Sequence, residues 1–168
     1  MSTAYLGLGS NIDAEAHIIA GIATLREAFG EVLLSPAYRA PAFGFLGNDF
    51  INLVAQIETS LGPLELKRFL HALEDRHGRR RNVPKFSDRT LDIDILLYDD
   101  LYLLSPELEI PRDEILTADH VLRPLADLAP NLLHPVKRQT IGELWRAFTR
   151  QGAGMVRIDL QATAKHVQ

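Results

Sequence analysis

The sequence predicts an α+β protein with a ferredoxin-like core, in which an antiparallel sheet carries helices packed against it. The first observation is the order of the periodic segments: strand, helix, strand, strand, helix, strand, with further elements appended. The second is size, because 168 residues, of which 46% are hydrophobic, can bury one substantial core. We therefore expect a single domain over residues 1–160 and a frayed polar tail over residues 161–168.

Six segments make up the predicted core. Short apolar or alternating stretches predict four strands: residues 4–8, 32–38, 51–57 and 91–98. Apolar residues at helical spacing predict two helices: residues 13–30 and 59–78. In the first helix we expect Asp13 as the N-cap and Gly30 as the stop signal. In the second we expect Thr59 or Ser60 as the cap, with Pro63 early in the helix.

The remaining segments are predicted to be loops and additions to that core. They are a loop over residues 39–48, strands over residues 101–104 and 155–160, and helices over residues 121–128 and 140–148. Pro124 would have to lie in the first turn of its helix or kink it. Thr140 and Glu143 have the spacing of a capping box, which opens the last helix.

The composition excludes several classes of site. The chain has no cysteine, which rules out disulfides, thiolate metal sites and cysteine nucleophiles and fits a reducing compartment. No apolar run is long enough for a membrane span, and the first residues lack the pattern of a secretory signal. We therefore expect a cytoplasmic protein without a membrane partner.

Basic residues are concentrated in one predicted loop. The chain has a net charge of −4, yet residues 76–89 contain six Lys and Arg and one Asp, a net charge of +5. A basic segment in an otherwise acidic protein indicates a local anion site rather than a general nucleic-acid surface. Taken alone, the segment is also compatible with a solvated surface loop or an RNA contact.

The clearest chemical motif is a pair of acids in the fourth core strand. Asp92 and Asp94 are two residues apart and project from the same face, whereas Ile93 and Ile95 face the core. Adjacent carboxylates repel each other, and Mg²⁺ prefers such oxygen ligands together with substrate phosphates. With Arg89 three residues upstream, the motif predicts a metal-assisted phosphoryl-transfer site. A solvated polar strand face is the structural alternative.

Four sequence elements together resemble a known enzyme family. They are Gly9-Ser10-Asn11, Tyr38-Arg39-Ala40-Pro41, Phe50-Ile51-Asn52 and Arg89-Thr90-Leu91-Asp92-Ile93-Asp94. Over roughly residues 5–135 the chain resembles the 6-hydroxymethyl-7,8-dihydropterin pyrophosphokinases of folate biosynthesis, which have a ferredoxin-like fold. The resemblance implies a transferase that moves diphosphate from ATP to the hydroxymethyl group of the pterin and releases AMP. It also implies two Mg²⁺ ions, no nucleic-acid or membrane partner, and a monomer or weak dimer.

The resemblance also implies roles for individual residues. The catalytic set is Arg79, Arg89, Asp92 and Asp94, of which the two aspartates would bind the metal. The pterin-binding set is Ala40, Pro41, Phe43, Phe50, Asn52, Phe86 and His120. The nucleotide-binding set is Glu74, Arg81, Lys85, Arg89, Ile95 and Arg112. Within these sets, Phe50 would stack on the pterin and Asn52 would hydrogen-bond its edge.

Several positions depart from the family pattern. His120 stands where the family usually has an aromatic stacking ring, Phe86 where it has a tryptophan, and Lys85 where it has an arginine. Arg112 stands where many members have a histidine, and Ala118 replaces an arginine. These departures leave two alternatives open. One is a divergent paralogue that acts on another pterin, and the other is a non-catalytic protein that binds a pterin or a nucleotide.

Overall fold

The six segments of the predicted core occur in the predicted order, with one of the strands divided in two. The computed structural model describes residues 1–42, 45–84, 87–148 and 154–160. Its strands are β1 Ser2–Ser10, β2 Leu33–Leu34, β3 Ala37–Ala40, β4 Phe50–Thr59, β5 Asp92–Tyr98, β6 Leu103–Leu104, β7 Glu109–Ile110 and β8 Val156–Ile158. Its helices are α1 Ala14–Phe29, α2 Pro63–Arg76, α3 Glu114–Thr117, α4 Asp119–Leu128 and α5 Ile141–Ala147. Phe43, Lys85, Phe86 and the expected tail over residues 161–168 lie outside the described residues.

The main sheet has the strand order β5-β1-β4-β3-β8, and β2 also pairs with β4. Every pairing in this sheet is antiparallel. β1 is central, since it pairs with β4 from Ser2 opposite Thr59 to Ser10 opposite Ile51, and with β5 on its other side. With β2 and β3 counted as one interrupted strand, this is the ferredoxin-like order, and the predicted fold class is confirmed.

One face of the sheet packs against α1 and α2. Alternate residues of the three long strands point into this core, for example Leu8 of β1, Leu53 of β4 and Ile93 of β5. The helices contribute the apolar face that their spacing predicts: Ile18, Ile22, Leu25, Leu66, Leu70 and Leu73. Each large side chain buried here contributes roughly 1.5–3 kcal/mol, so this face is a major source of stability.

The opposite face is divided between a second apolar core and a polar region. Near one end of the strands, Val54 and Leu96 pack with side chains of α3, α4 and α5. Toward the other end, five residues on the same face are glycine or polar: Gly7, Gly9, Asn52, Asp92 and Asp94. We refer to these five residues as the polar strip. Because it begins where the appended helices stop covering the sheet, it is the natural place for a site.

The predicted strand over residues 32–38 is interrupted and forms two strands. Pro36 has no N–H to donate to the ladder, so β2 ends before it and β3 begins after it. Ser35 maintains the contact with β4 across this gap. Its backbone N–H donates to the Val54 carbonyl at 2.8 Å, and its Oγ accepts from the Val54 N–H at 2.8 Å.

The N-cap of α1 is the predicted residue, whereas the predicted cap of α2 is wrong. Asp13 is the N-cap of α1, although its backbone has φ 45° and its side chain makes no capping hydrogen bond. Neither Thr59 nor Ser60 caps α2, because β4 continues through Thr59 and the helix begins after Gly62. The Gly62 N–H donates to the Glu65 carboxylate at 3.2 Å, so an acid in the first turn satisfies this end.

The appended elements include two that the sequence did not predict, β7 and α3. The strand expected over residues 101–104 is reduced to β6, which pairs with β7 in a separate two-stranded sheet. Pro124 lies in the second turn of α4 rather than the first, because the helix begins two residues earlier than predicted. The capping box of Thr140 and Glu143 at α5 is confirmed. In the described part of the chain, no helix is long and apolar enough to span a membrane.

Candidate active site

The two acids of β5 share one face of the sheet, as the alternation of the strand predicts. Asp92 lies opposite Gly9 and Asp94 opposite Gly7, while Ile93 belongs to the core on the other face. The glycines leave space beside both carboxylates. Both aspartates are partly buried rather than fully solvated, which argues against the alternative of a merely exposed polar face.

The carboxylate of Asp94 lies in an unfavourable electrostatic environment. Burial, followed by the charge of Asp92, raises the pKa of Asp94 from 3.8 to about 7, although the nearby Arg112 acts in the opposite direction. Arg112 itself forms an ion pair with Glu114. Within the described residues, the Asp94 carboxylate accepts no hydrogen bond and forms no ion pair. A carboxylate in this condition favours either a proton or a cation as its partner.

Asp92, in contrast, is held by two arginines. Arg79 Nη1 donates to Asp92 Oδ1 at 2.8 Å, and Arg89 Nη1 donates to Asp92 Oδ2 at 3.1 Å. Both arginines were predicted as catalytic residues, and the structure brings them to the same carboxylate. The three side chains are between 15% and 26% exposed, so this cluster lies at the rim of the polar strip rather than in free solvent.

Glu74 lies beneath the arginines and is almost fully buried. Its Oε2 accepts the Ile93 N–H at 2.7 Å, between the two acids of β5, and its Oε1 accepts from Arg81 Nη2 at 2.9 Å. Burial raises the pKa of Glu74, while the bond to Ile93 and the two arginines oppose that shift. The carboxylate therefore ties α2 to β5 and to Arg81. Its predicted role in nucleotide binding stays a prediction.

The predicted pterin residues of β3 and β4 lie on the same face as the acids. Asn52 pairs with Gly9 on one side and with Tyr38 on the other, and Phe50 pairs with Ala40 at the end of the sheet. A Cβ atom on Gly9 would lie 2.8 Å from Asn52 Oδ1, so any larger residue at this position would displace the amide of Asn52. Asn52 and Asp92 are therefore separated by one bare strand, a distance of roughly 10 Å.

His120 in α4 lies near the carboxylates. Burial lowers its pKa, whereas the surrounding charges of Asp119, Glu114 and Asp92 oppose that shift. The histidine is therefore a neutral aromatic ring near pH 7. Phe50 has a neighbouring ring in Phe45, with 6.3 Å between centroids in an edge-on arrangement.

The predicted nucleotide residues Ile95 and Arg112 border a cavity of about 340 Å³ beside β5. Asp94 and His71 of α2 also line it. The Ile95 side chain points into the core, so its main chain is the part available to a ligand at this sheet edge. Phe43, Lys85 and Phe86 lie outside the described residues, and Pro41 lies just beyond β3.

Asn11 is a site residue to which the sequence analysis gave no role. It is 2% exposed, and its side chain accepts from the Arg89 N–H at 2.7 Å and donates to Asp88 Oδ1 at 2.7 Å. It also donates to the Asn48 carbonyl at 3.1 Å. These bonds join the end of β1 to the loops on both sides of the polar strip. The Gly-Ser-Asn element was the available signal, since a buried asparagine needs several partners.

Comparison with known proteins identifies the family. The profile of the 7,8-dihydro-6-hydroxymethylpterin-pyrophosphokinase family (HPPK) matches residues 5–130. A 2-amino-4-hydroxy-6-hydroxymethyldihydropteridine pyrophosphokinase of Aquifex aeolicus is 36% identical over 145 residues, covering 85% of this chain and 90% of that protein. The enzyme of the same name from Pseudomonas aeruginosa is 38% identical over 152 residues, covering 88% and 93%.

Longer relatives contain the same domain as one part. The folic acid synthesis protein fol1 of Schizosaccharomyces pombe is 35% identical over 153 residues, which is 89% of this chain but 21% of that protein. Among solved structures, a Plasmodium falciparum HPPK-DHPS triple mutant with pteroate matches with a TM-score of 0.70 at 16% identity. The match covers 94% of this chain and 46% of that chain, and it supports the fold.

The sequence matches and the fold therefore agree with each other. The family profile covers most of the chain, and the relatives that match over most of their own length are named as pyrophosphokinases. The chain belongs to the 7,8-dihydro-6-hydroxymethylpterin-pyrophosphokinase family, and it is an ATP-dependent diphosphotransferase of folate biosynthesis.

Proposed function

We propose that the polar strip is the place where diphosphate passes from ATP to the hydroxymethyl oxygen of 6-hydroxymethyl-7,8-dihydropterin. The observation that carries this proposal is that Asp92 and Asp94 share a face with Asn52, across the bare glycines of β1. In the reaction, the pterin oxygen forms a bond to the β-phosphorus while the bond from that phosphorus to the AMP oxygen breaks. The hydroxyl proton is released, and AMP leaves.

The donor set at Asp92 and Asp94 fits Mg²⁺. Two carboxylates are the usual protein contribution to a magnesium site that is completed by water and substrate phosphates. No group of three or more His, Cys, Asp or Glu suited to a metal occurs in the described part of the chain. The raised pKa of Asp94 also fits a position that a cation would relieve. When bound, two magnesium ions would neutralise the charge of the triphosphate.

The arginines around the strip would bind and orient the phosphates. Arg79 and Arg89 lie on either side of Asp92, and a guanidinium can hold two phosphate oxygens at once. Arg112 lies beside Asp94 and borders the cavity at the edge of β5. We assign the triphosphate to the region among these three arginines and the rest of the nucleotide to that cavity, with Arg81 at its margin.

The pterin would lie on the other side of the bare strand. Asn52 would offer an amide to the edge of the heterocycle, and Phe50 would supply one stacking ring. His120 would supply the second ring. Since its pKa is lowered by burial, it would stack as a neutral imidazole, which is smaller than the aromatic side chain usual in the family. Ala40 and Pro41 would border the same position.

The test is AMP formation from ATP and 6-hydroxymethyl-7,8-dihydropterin with magnesium present. We expect the purified protein to form stoichiometric AMP and pterin diphosphate, and Asp92→Ala to reduce the rate at least 1000-fold while the circular dichroism spectrum is unchanged. An Asp92→Ala variant with near-normal turnover would contradict the site assignment.

The two alternatives give different results with the same protein. A non-catalytic binding protein would bind ATP and the pterin by calorimetry but form no AMP. A paralogue would turn over a different pterin alcohol faster than 6-hydroxymethyl-7,8-dihydropterin. A family member with the usual substrate shows both binding and turnover, and prefers this pterin.

A further inference from the structure

The two acids of the polar strip have different partners. Each oxygen of Asp92 accepts a hydrogen bond from an arginine, at 2.8 Å from Arg79 and at 3.1 Å from Arg89. Asp94, two residues further along β5, has no ion pair within the described residues. A divalent cation that binds both aspartates would therefore lie close to the two guanidinium groups that are bound to Asp92.

The contact between Arg79 and Asp92 leaves the arginine incompletely satisfied. Its Nη1 is shared among Asp92 Oδ1 at 2.8 Å, the Leu91 carbonyl at 3.1 Å and the more distant Glu74 Oε2 at 3.7 Å. Its Nε is buried and has no hydrogen-bond partner in the described part of the chain. A buried donor without an acceptor is costly. A phosphate chain, which has several charged oxygens, would be a better partner than one carboxylate oxygen.

We propose that Arg79 and Arg89 compete with the divalent cation for Asp92, so that the aspartate pair binds metal tightly only together with a polyphosphate chain. This inference rests on the proposed function. Positive groups bound to one carboxylate repel each other, so each guanidinium on Asp92 lowers the affinity of that carboxylate for a cation. Phosphates that take over the guanidinium groups free Asp92 for the metal.

The consequence is specificity for a metal–nucleotide complex over the free cation. A polyphosphate that draws the two arginines away from Asp92 raises the affinity of the site for the metal. By linkage, bound metal raises the affinity for the polyphosphate by the same factor. The coupling resides in this chain's own side chains, in addition to the direct attraction between metal and phosphate. Removal of either arginine therefore strengthens the binding of the free cation.

The experiment measures Mn²⁺ binding without nucleotide, from the electron paramagnetic resonance signal of free Mn²⁺ at constant ionic strength. We expect Arg79→Gln to bind Mn²⁺ about tenfold more tightly than the wild type, within the usual range for linked sites. The matched control is Arg80→Gln, which removes the same charge from an exposed neighbour that makes no ion pair in the described part of the chain. We expect that control to change the affinity less than twofold.

Arg89→Gln is the second test variant, in case loss of the Arg79 bond to the Leu91 carbonyl disturbs folding. Equal or weaker Mn²⁺ binding in the folded arginine variants overturns the competition. An equal gain in Arg80→Gln also overturns it, since the effect would then be one of general charge.

Asp92→Asn separates this failure from that of the proposed function. If Asp92→Asn abolishes Mn²⁺ binding while the arginine variants match the wild type, the metal site stands without the competition. If Asp92→Asn binds Mn²⁺ normally, both proposals fail.

Discussion

The two faces of the main sheet differ in how their polar and apolar residues are distributed. The face covered by α1 and α2 is apolar along the length of the long strands, and each side chain there has neighbours that exclude water. The other face is apolar where α3, α4 and α5 cover it and becomes polar at the end of the strands, where Asp92 and Asp94 lie. The same strand, β5, serves both faces by simple alternation of its residues.

This difference shows how the fold supports an unfavourable cluster of charges. Ile93 and Ile95 anchor β5 in the apolar core, so Asp92 and Asp94, which alternate with them, are held close together although they repel each other. Stability arises mainly on one face, and we propose that the chemistry takes place on the other. Substitutions on the two faces should therefore have separable effects, which the following predictions test.

The largest expected effect is on the polar face. Asp94→Asn should reduce the rate of AMP formation at least 1000-fold, because an amide is a poor ligand for magnesium and carries no charge. Its unfolding midpoint in urea should be no lower than that of the wild type, since the change removes a partly buried charge that forms no ion pair within the described residues. An Asp94→Asn variant that is inactive because it is unfolded would contradict the separation of activity from stability.

The next effect belongs to the apolar face. Leu25 of α1 is fully buried in the same core and does not line the cavity beside β5, and Leu25→Ala should lower the free energy of unfolding by about 2–5 kcal/mol through lost burial and a cavity. The rate per folded molecule should remain within about threefold of the wild type, because the side chain does not reach the polar strip. Urea unfolding and AMP formation at a temperature where the variant is folded check this. A rate loss comparable to that of Asp94→Asn would contradict the separation.

The pH dependence of stability distinguishes the faces further. Because the pKa of Asp94 is raised from 3.8 to about 7, the folded protein holds this proton more tightly than the unfolded chain does. In metal-free buffer the wild type therefore loses stability as the pH rises from about 4 to about 7. Asp94→Asn lacks this loss, so its advantage over the wild type should grow by a few kcal/mol at most between pH 5 and pH 8. If the difference in the free energy of unfolding between Asp94→Asn and the wild type does not change with pH, the pKa of Asp94 is not raised in the folded protein.

The smallest effect concerns the bare strand between the acids and Asn52. Gly9→Ala would place a methyl group 2.8 Å from Asn52 Oδ1, and we expect the KM for the pterin to rise about tenfold as the amide is displaced. Gly7→Ala is the matched control, because its Cβ would meet the flexible end of Leu96 at 3.3 Å. Similar KM values in the two variants would show that Asn52 does not bind the pterin.

Local pattern predicted much of this architecture. The alternation in β5 placed both acids on one face, and the helical spacing of residues such as Leu66 and Leu70 gave the apolar side of α2. Pro36 was visible in the sequence, and its effect on the ladder explains why one predicted strand is two. β7 and α3 are too short to produce a periodic signal.

Contacts between distant segments could not be predicted in the same way. The bond of Arg79 to Asp92 joins residues 13 apart, and the bond of Asn11 to Asp88 joins residues 77 apart. Nothing in the local sequence of either partner specifies the other. The family resemblance indicated that these residues belong to one site, but only the three-dimensional structure shows that Asp92 holds two arginines while Asp94 forms no ion pair within the described residues.

The most direct measurement is a crystal structure with magnesium and a non-hydrolysable ATP analogue. We predict electron density for a cation that contacts the carboxylates of both Asp92 and Asp94 as well as phosphate oxygens, on the face of the sheet shared with Asn52. Side chains of Asp92 and Asp94 that point apart, or a nucleotide bound with no cation between them, would contradict the central claim.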